Sequence, residues 1–173
     1  MELESVRQQI AKSFSEKTYP NPADPEVKKM VALGRTEFES KYLGRTFPWV
    51  LNGETIYAPD TYETCDPNTP AIVVGRFPKI SPAALEKLLA TEAPAMYASG
   101  RRFFLETTWR KRVELLQMIS RVTQERFWLL HAAIMYETGQ SPPEAIGETD
   151  EEVDFPIANA MYLEELNQDL LIP

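Results

Sequence analysis

The sequence predicts an α+β fold, mainly helical, with a β-hairpin and one or two further strands. Three observations carry that expectation. Apolar residues recur at helical spacing in four separate stretches between Val27 and Met135. The dipeptide Asn52-Gly53 lies between two short runs of aromatic and β-branched residues. Finally, Ala71 to Val74 is an unbroken apolar run behind the turn residues Asp66-Pro67-Asn68, which fits a buried strand.

In chain order, Leu3 to Phe14 has the pattern of a short helix, but prolines 20, 22 and 25 interrupt it. Residues 1–24 are therefore expected to form a mobile N-terminal arm, and 25–173 a single domain. Asp24 then Pro25 supply an N-cap and a first-turn proline for a helix through Val27, Met30, Val31, Phe38 and Tyr42, stopped by Gly44. The hairpin pairs Trp49–Leu51 with Thr55–Tyr57, and a third extended piece covers Tyr62–Cys65. Ser81-Pro82 opens a helix with Leu85, Leu88 and Leu89, which the stretch APAMYASGRRFF is expected to interrupt. Thr107 or Thr108 caps the next helix, with Val113, Leu116 and Ile119. Thr123 is expected to recap a further one, ending at Gly139 as its left-handed stop. Ser141-Pro142-Pro143-Glu144 has capping-box spacing and starts a last, acidic helix, which Pro156 should kink or split near Phe155.

Composition narrows the function. The chain has 173 residues, 43% of them hydrophobic, enough for one core. Its formal charge is −8; from Glu137 onward there are ten Asp or Glu and no Lys or Arg, which leaves the first 136 residues at +2. That field repels phosphate backbones and anionic lipid, so neither nucleic acid nor membrane insertion is expected. A single cysteine excludes an internal disulfide. With no apolar run of about 18 residues and no signal-peptide core, the chain reads as soluble and cytoplasmic.

The inventory for chemistry is thin. Cys65 precedes Asp66, whose charge disfavours a thiolate, so it reads as structural. His131, the only histidine, lies mid-helix without a second His or Cys for zinc and reads as a packing or surface residue. The acids Glu148, Asp150, Glu151, Glu152 and Asp154 follow a helical period rather than a calcium loop, and read as a solvated face. Arg101, Arg102, Arg110, Lys111, Arg112, Arg121 and Arg126 are their expected salt-link partners. Glycine-rich phosphate loops are absent from the sequence. No catalytic, cofactor-binding or metal-ligating residue is assigned.

The ordered set DPNTPAIVVGRF, SPAALEKLL, an Arg112-containing helix and ETGQSPPEAIGETDEEVDF resembles the N-terminal segment of the aldehyde dehydrogenase superfamily. Upstream, LGRTFPWVLNGETI is similar to the extended N-terminus of its 1-pyrroline-5-carboxylate (glutamate semialdehyde) dehydrogenases. The resemblance covers roughly residues 20–165, and implies the front part of that fold without its complete Rossmann sheet. It also shows departures: Gln140 stands where the family has lysine, Phe103 or Phe104 where it has tryptophan, and Pro156 falls inside a helix that the family keeps continuous. The family's catalytic cysteine, general-base glutamate and oxyanion-hole asparagine have no counterpart here.

Two expectations follow. The favoured one is a catalytically incomplete, aldehyde-dehydrogenase-like interaction or assembly module that binds no cofactor by itself. The other is the N-terminal fragment of a split or truncated enzyme that, once completed, uses NAD to oxidise glutamate semialdehyde to glutamate. Under both, apolar faces made to cover a sheet need other cover, so a protein partner or self-association is expected, anchored by Trp49, Val50, Ile72, Val73, Phe103, Phe104, Phe127 and Trp128.

Overall fold

A computed structural model describes residues 18–51 and 53–169. The expected opening helix and Asn52 lie outside the described residues. Helix α1 (Pro25–Lys41) begins as the local chemistry dictates: the Asp24 carboxylate accepts the Glu26 amide at 2.9 Å and proline occupies the first turn. It ends at Tyr42, and Gly44 follows at φ +71°.

Next comes β1 (Arg45–Thr46), which pairs parallel to Gly75 and Arg76. The expectation missed this strand. Two residues carry no readable alternation, and what holds it is non-local: the Gly44 amide donates to the Val74 carbonyl at 2.9 Å and the Phe47 amide to Arg76 at 2.8 Å. The hairpin forms from β2 (Trp49–Leu51) and β3 (Glu54–Ile56), one residue earlier on the second side than expected, with Gly53 at φ +80° supplying the turn. Strands β4 (Thr61–Asp66) and β5 (Thr69–Pro78) pair antiparallel, with an irregular register around Cys65. The sheet order is β1-β5-β4. The Asp66 carboxylate accepts the Asn68 amide at 2.8 Å and so shapes the β4–β5 turn.

Helix α2 (Pro82–Glu106) is capped by the Ser81 hydroxyl and runs for 25 residues, straight through APAMYASGRRFF. The expected interruption is absent: Pro94 removes one amide, while Ala90, Ala93, Ala95 and Ala98 are the best of helix formers. Thr108, not Thr107, caps α3 (Trp109–Glu125), accepting the Lys111 amide at 3.3 Å; Thr107 instead ends α2. Thr123 does not recap. The helix breaks at Arg126, which has no side-chain cap bond and whose amide donates to the Thr123 carbonyl, before α4 (Phe127–Thr138).

Gly139 closes α4 at φ +73°, as expected. At Ser141 the capping box is one-sided: both the amide (2.9 Å) and the hydroxyl (2.7 Å) donate to the Glu144 carboxylate. Helix α5 (Pro142–Asp169) is not split at Pro156. Buried Val153 and Ala160 bracket the proline, Val153 packing with Phe127 of α4, and the Asn159 side-chain amide donates to the Phe155 carbonyl at 2.8 Å, so tertiary packing carries the helix across.

The most extensive helix packing is α3 along α5, followed by α1 on α4 and α4 on α5, with α4 also against β4. Two apolar clusters result. One joins Phe38, Val74, Ala132 and Tyr136; the other joins Phe127, Ile146 and Val153, flanked by Val27 and Trp128. Helix α2 stands apart, with no buried residue and no broad contact with any other described element.

Candidate functional site

Two polar constellations and one open surface are built on this frame. The first constellation joins α1 to α4. Arg35 and Glu39, one turn apart on α1, pair at 2.9 Å, and both meet Tyr136, 101 and 97 residues further on. The guanidinium donates to the phenol oxygen at 3.1 Å, and the phenol donates to the same Glu39 oxygen that Arg35 holds. Hydrogen bonds from Tyr136 and then Arg35 hold the Glu39 carboxyl below the ordinary carboxylate range, while burial and the Glu39 bond push the Tyr136 phenol up. Beside this network a cleft of about 210 Å³ is lined by Arg35, Asp66, Asn68, Tyr136 and Gln140 among others. Asn68 fixes its rim by donating to the Gly139 carbonyl at 2.8 Å.

Tyr136→Phe should remove the phenol bond at a cost of about 1 kcal/mol. The Glu39 pKa should rise toward its ordinary value in a carbon-detected carboxylate titration. A lowered carboxyl pKa stabilises above its unfolded value and loses that contribution as pH falls, so the variant's deficit should shrink on acidification.

The second constellation ties α2 to α3. The Arg112 guanidinium donates to the carbonyls of Phe104 (2.9 Å) and Thr107 (3.0 Å) and lies over the Phe104 ring at 4.3 Å. It satisfies orphan carbonyls at the end of α2 and fixes the corner between the helices. Arg112→Ala should cost about 1.5 kcal/mol, the lower end for charged donors because the side chain is half-exposed. The check is faster amide exchange confined to the last turn of α2.

Other candidates are dispersed. His131 is fully buried, so of the two expected roles the packing one applies. Asp150 is buried too, whereas Glu148, Glu151 and Glu152 are exposed, so the acidic run is only partly a solvated face. Of the basic set, Lys111 pairs with Glu114 within α3 and Arg110 stacks over Trp109. Among the described residues, no group of three His, Cys, Asp or Glu is placed to hold a metal ion, and no helix is long and apolar enough to cross a membrane.

The eight expected anchors divide sharply. Val50 (69% exposed), Phe103 (55%) and Phe104 (60%) are open; Trp49, Ile72, Val73 and Trp128 are half-buried. Phe127, at 3%, belongs to the internal core against Ile146 and Val153 and is removed from any open surface. Further open apolar residues of α2, Leu89, Tyr97 and Leu105, were not among the expected anchors. Between α2 and the hairpin lies a cleft of about 480 Å³, with Leu51, Ile56, Ala84 and Leu88 on its walls and Glu54, Lys87 and Glu92 among its lining.

Among the described residues, helices pack on a small mixed sheet and leave open apolar flanks, an arrangement found within layered α/β architectures. The comparisons agree on which. The fold matches an N-terminal part of aldehyde-dehydrogenase-like structures: a variant of the Thermus thermophilus 1-pyrroline-5-carboxylate dehydrogenase superposes with a TM-score of 0.70 at 22% identity, over 83% of this chain and 27% of that one. The corresponding Mycobacterium tuberculosis enzyme, bound with NAD and cobalamin, gives 0.71 at 17% identity, over 88% and 28%.

Sequence comparison points to the same group. The 1-pyrroline-5-carboxylate dehydrogenase of Staphylococcus haemolyticus is 27% identical over 113 residues, 65% of this chain and 21% of the relative. The chain thus resembles the front of an aldehyde dehydrogenase, most like the 1-pyrroline-5-carboxylate enzymes, and spans about a fifth of the length of the curated relatives it matches. No family model matches it.

Proposed function

We propose that this chain serves as the N-terminal segment of an NAD-dependent dehydrogenase of the 1-pyrroline-5-carboxylate type, working in the cytoplasm with a catalytic part that oxidises glutamate semialdehyde to glutamate. The observation that carries this reading is the fold match over 83% of the chain, joined to sequence similarity with enzymes of the same name. In this role the sheet is the docking element. Among the described residues its order leaves β1 and β4 at the edges, each with one side open to further strands. Half-buried Ile72 and Val73 lie on its central strand β5, and half-buried Trp49 and exposed Val50 add apolar area on the separate hairpin. The described residues present no glycine-rich phosphate cradle, so nicotinamide chemistry is assigned to the catalytic part and no step is assigned to side chains here.

The comparisons support this reading better than the self-standing assembly module that the sequence favoured. One feature favours the module as a second reading: α2 keeps Leu89, Tyr97, Phe103 and Leu105 open, a surface suited to a protein partner or to self-association. Tagged chain recovered from its own cells separates the two. Co-purification with an aldehyde dehydrogenase catalytic polypeptide, and NADH formation by that complex on glutamate semialdehyde, is the expected result. Recovery with unrelated proteins alone, and no NADH formation, would overturn the dehydrogenase role.

A further inference from the structure

His131 is the chain's only histidine, and its ring is 0% exposed. Nε2 lies 3.1 Å from the Pro142 carbonyl. A carbonyl only accepts, so Nε2 carries the hydrogen and Nδ1 is the bare nitrogen. That Nδ1 is buried without a hydrogen-bond partner. The ring sits edge-on to Trp128, with centroids 5.8 Å apart. Its single polar tie therefore spans the joint between α4 and the first residue of α5.

We propose that this arrangement makes the α4–α5 joint an acid-labile latch, closed while the imidazole is neutral and opened by its protonation. A proton added at Nδ1 creates a buried charge and a donor that meets no acceptor among the described residues, and such burial is strongly unfavourable. The ring must then reach solvent, and it can do so only by parting from Pro142. Moving the start of α5 displaces Ile146, one turn along, from the cluster it forms with Phe127 and Val153. Opening thus uncovers an apolar core.

Burial disfavours the cation more than the Pro142 carbonyl favours it. Two influences act on the ring, burial and the Pro142 carbonyl, with burial the larger, so its pKa lies below the usual histidine value. No charged group of α1, α3, α4, α5 or β4 among the described residues adds to these. The carboxylates nearest in sequence on α5 are occupied: Glu144 by Ser141, and Glu148 by the Gln140 amide at 3.4 Å. A histidine pKa lowered by folding means that the unfolded chain binds the proton more readily. The latch is therefore closed above the ordinary value near 6.5 and loses stability as pH falls below it.

The inference stands apart from the dehydrogenase reading, and a lone histidine makes the test direct. With any tag removed, the imidazole C2–H resonance is followed from pH 8 to 4. Trp128 emission is followed in parallel in a Trp49→Phe, Trp109→Phe background. The expected result is an Nε2–H tautomer at neutral pH and no titration through 6.5. Below that, ring protonation should coincide with a red shift of Trp128 and binding of an apolar-surface dye. His131→Gln keeps a donor for Pro142 but gains no charge, and should lose this acid transition. Titration near 6.5 with unchanged Trp128 emission, or an acid transition identical in His131→Gln, would overturn the latch. If that variant does not fold, the coincidence of ring and tryptophan signals in the unsubstituted histidine protein decides alone.

Discussion

Gly34→Ala should destabilise the chain by about 3 kcal/mol or more, although alanine is the better helix former by about 1 kcal/mol. Gly34 is buried in α1 where it crosses α4, and a Cβ there would lie 2.2 Å from the Trp128 carbonyl oxygen and 2.6 Å from its carbon. Those are backbone atoms of the opposing helix, which no rotamer change can withdraw. The two helices must separate, and with them the contact of Phe38 on Ala132 and Tyr136. Against a total stability of order 5–15 kcal/mol this is a large fraction, readable as a lowered urea midpoint with an unchanged slope. A Gly34→Ala protein as stable as its parent would show that α1 does not approach α4 this closely.

Phe127→Ala should cost about 3–5 kcal/mol, the range for emptying a buried aromatic site, while Phe103→Ala should change stability by no more than about 0.5 kcal/mol. The contrast rests on 3% against 55% exposure. Phe127 closes the cluster with Ile146 and Val153 and meets the Trp128 ring edge-on at 4.8 Å, so the cavity left behind would have walls from both α4 and α5. Phe103 projects from a helix with no buried residue. Urea titration of both variants side by side is sufficient. Equal effects would mean that α2 is packed in solution against something the isolated fold does not contain.

These residues mark how far the sequence was legible. Asp24-Pro25, Gly53, Ser81-Pro82, Gly139 and Ser141 each act within about four residues of themselves, and the boundaries they imply are those observed, save the second hairpin strand, which starts one residue early. The interruption expected around Pro94 and the split expected at Pro156 are absent because context settles them: neighbouring alanines in one case, bracketing core residues in the other. The strand β1 and the Arg35–Glu39–Tyr136 network join residues 30 and 97 or more positions apart, beyond any windowed pattern. Of that network only the Arg35–Glu39 spacing on one helix was readable. Phe103 and Phe127 look alike in sequence; which is core depends on which helix finds a neighbour. The family resemblance survived these local errors because it rested on the order of motifs along the chain.

Helix α2 carries one mechanical consequence. At 1.5 Å per residue its 25 residues make a rod about 37 Å long, and its firmest attachment is the Arg112 clasp at one end. A rod pivoted at its foot magnifies motion: a tilt of about 10° at the Thr107–Thr108 corner carries the Ser81 end through roughly 6 Å, judging from that rise alone. A lever of this kind converts a small rearrangement beneath Arg112 into a wide sweep at its tip.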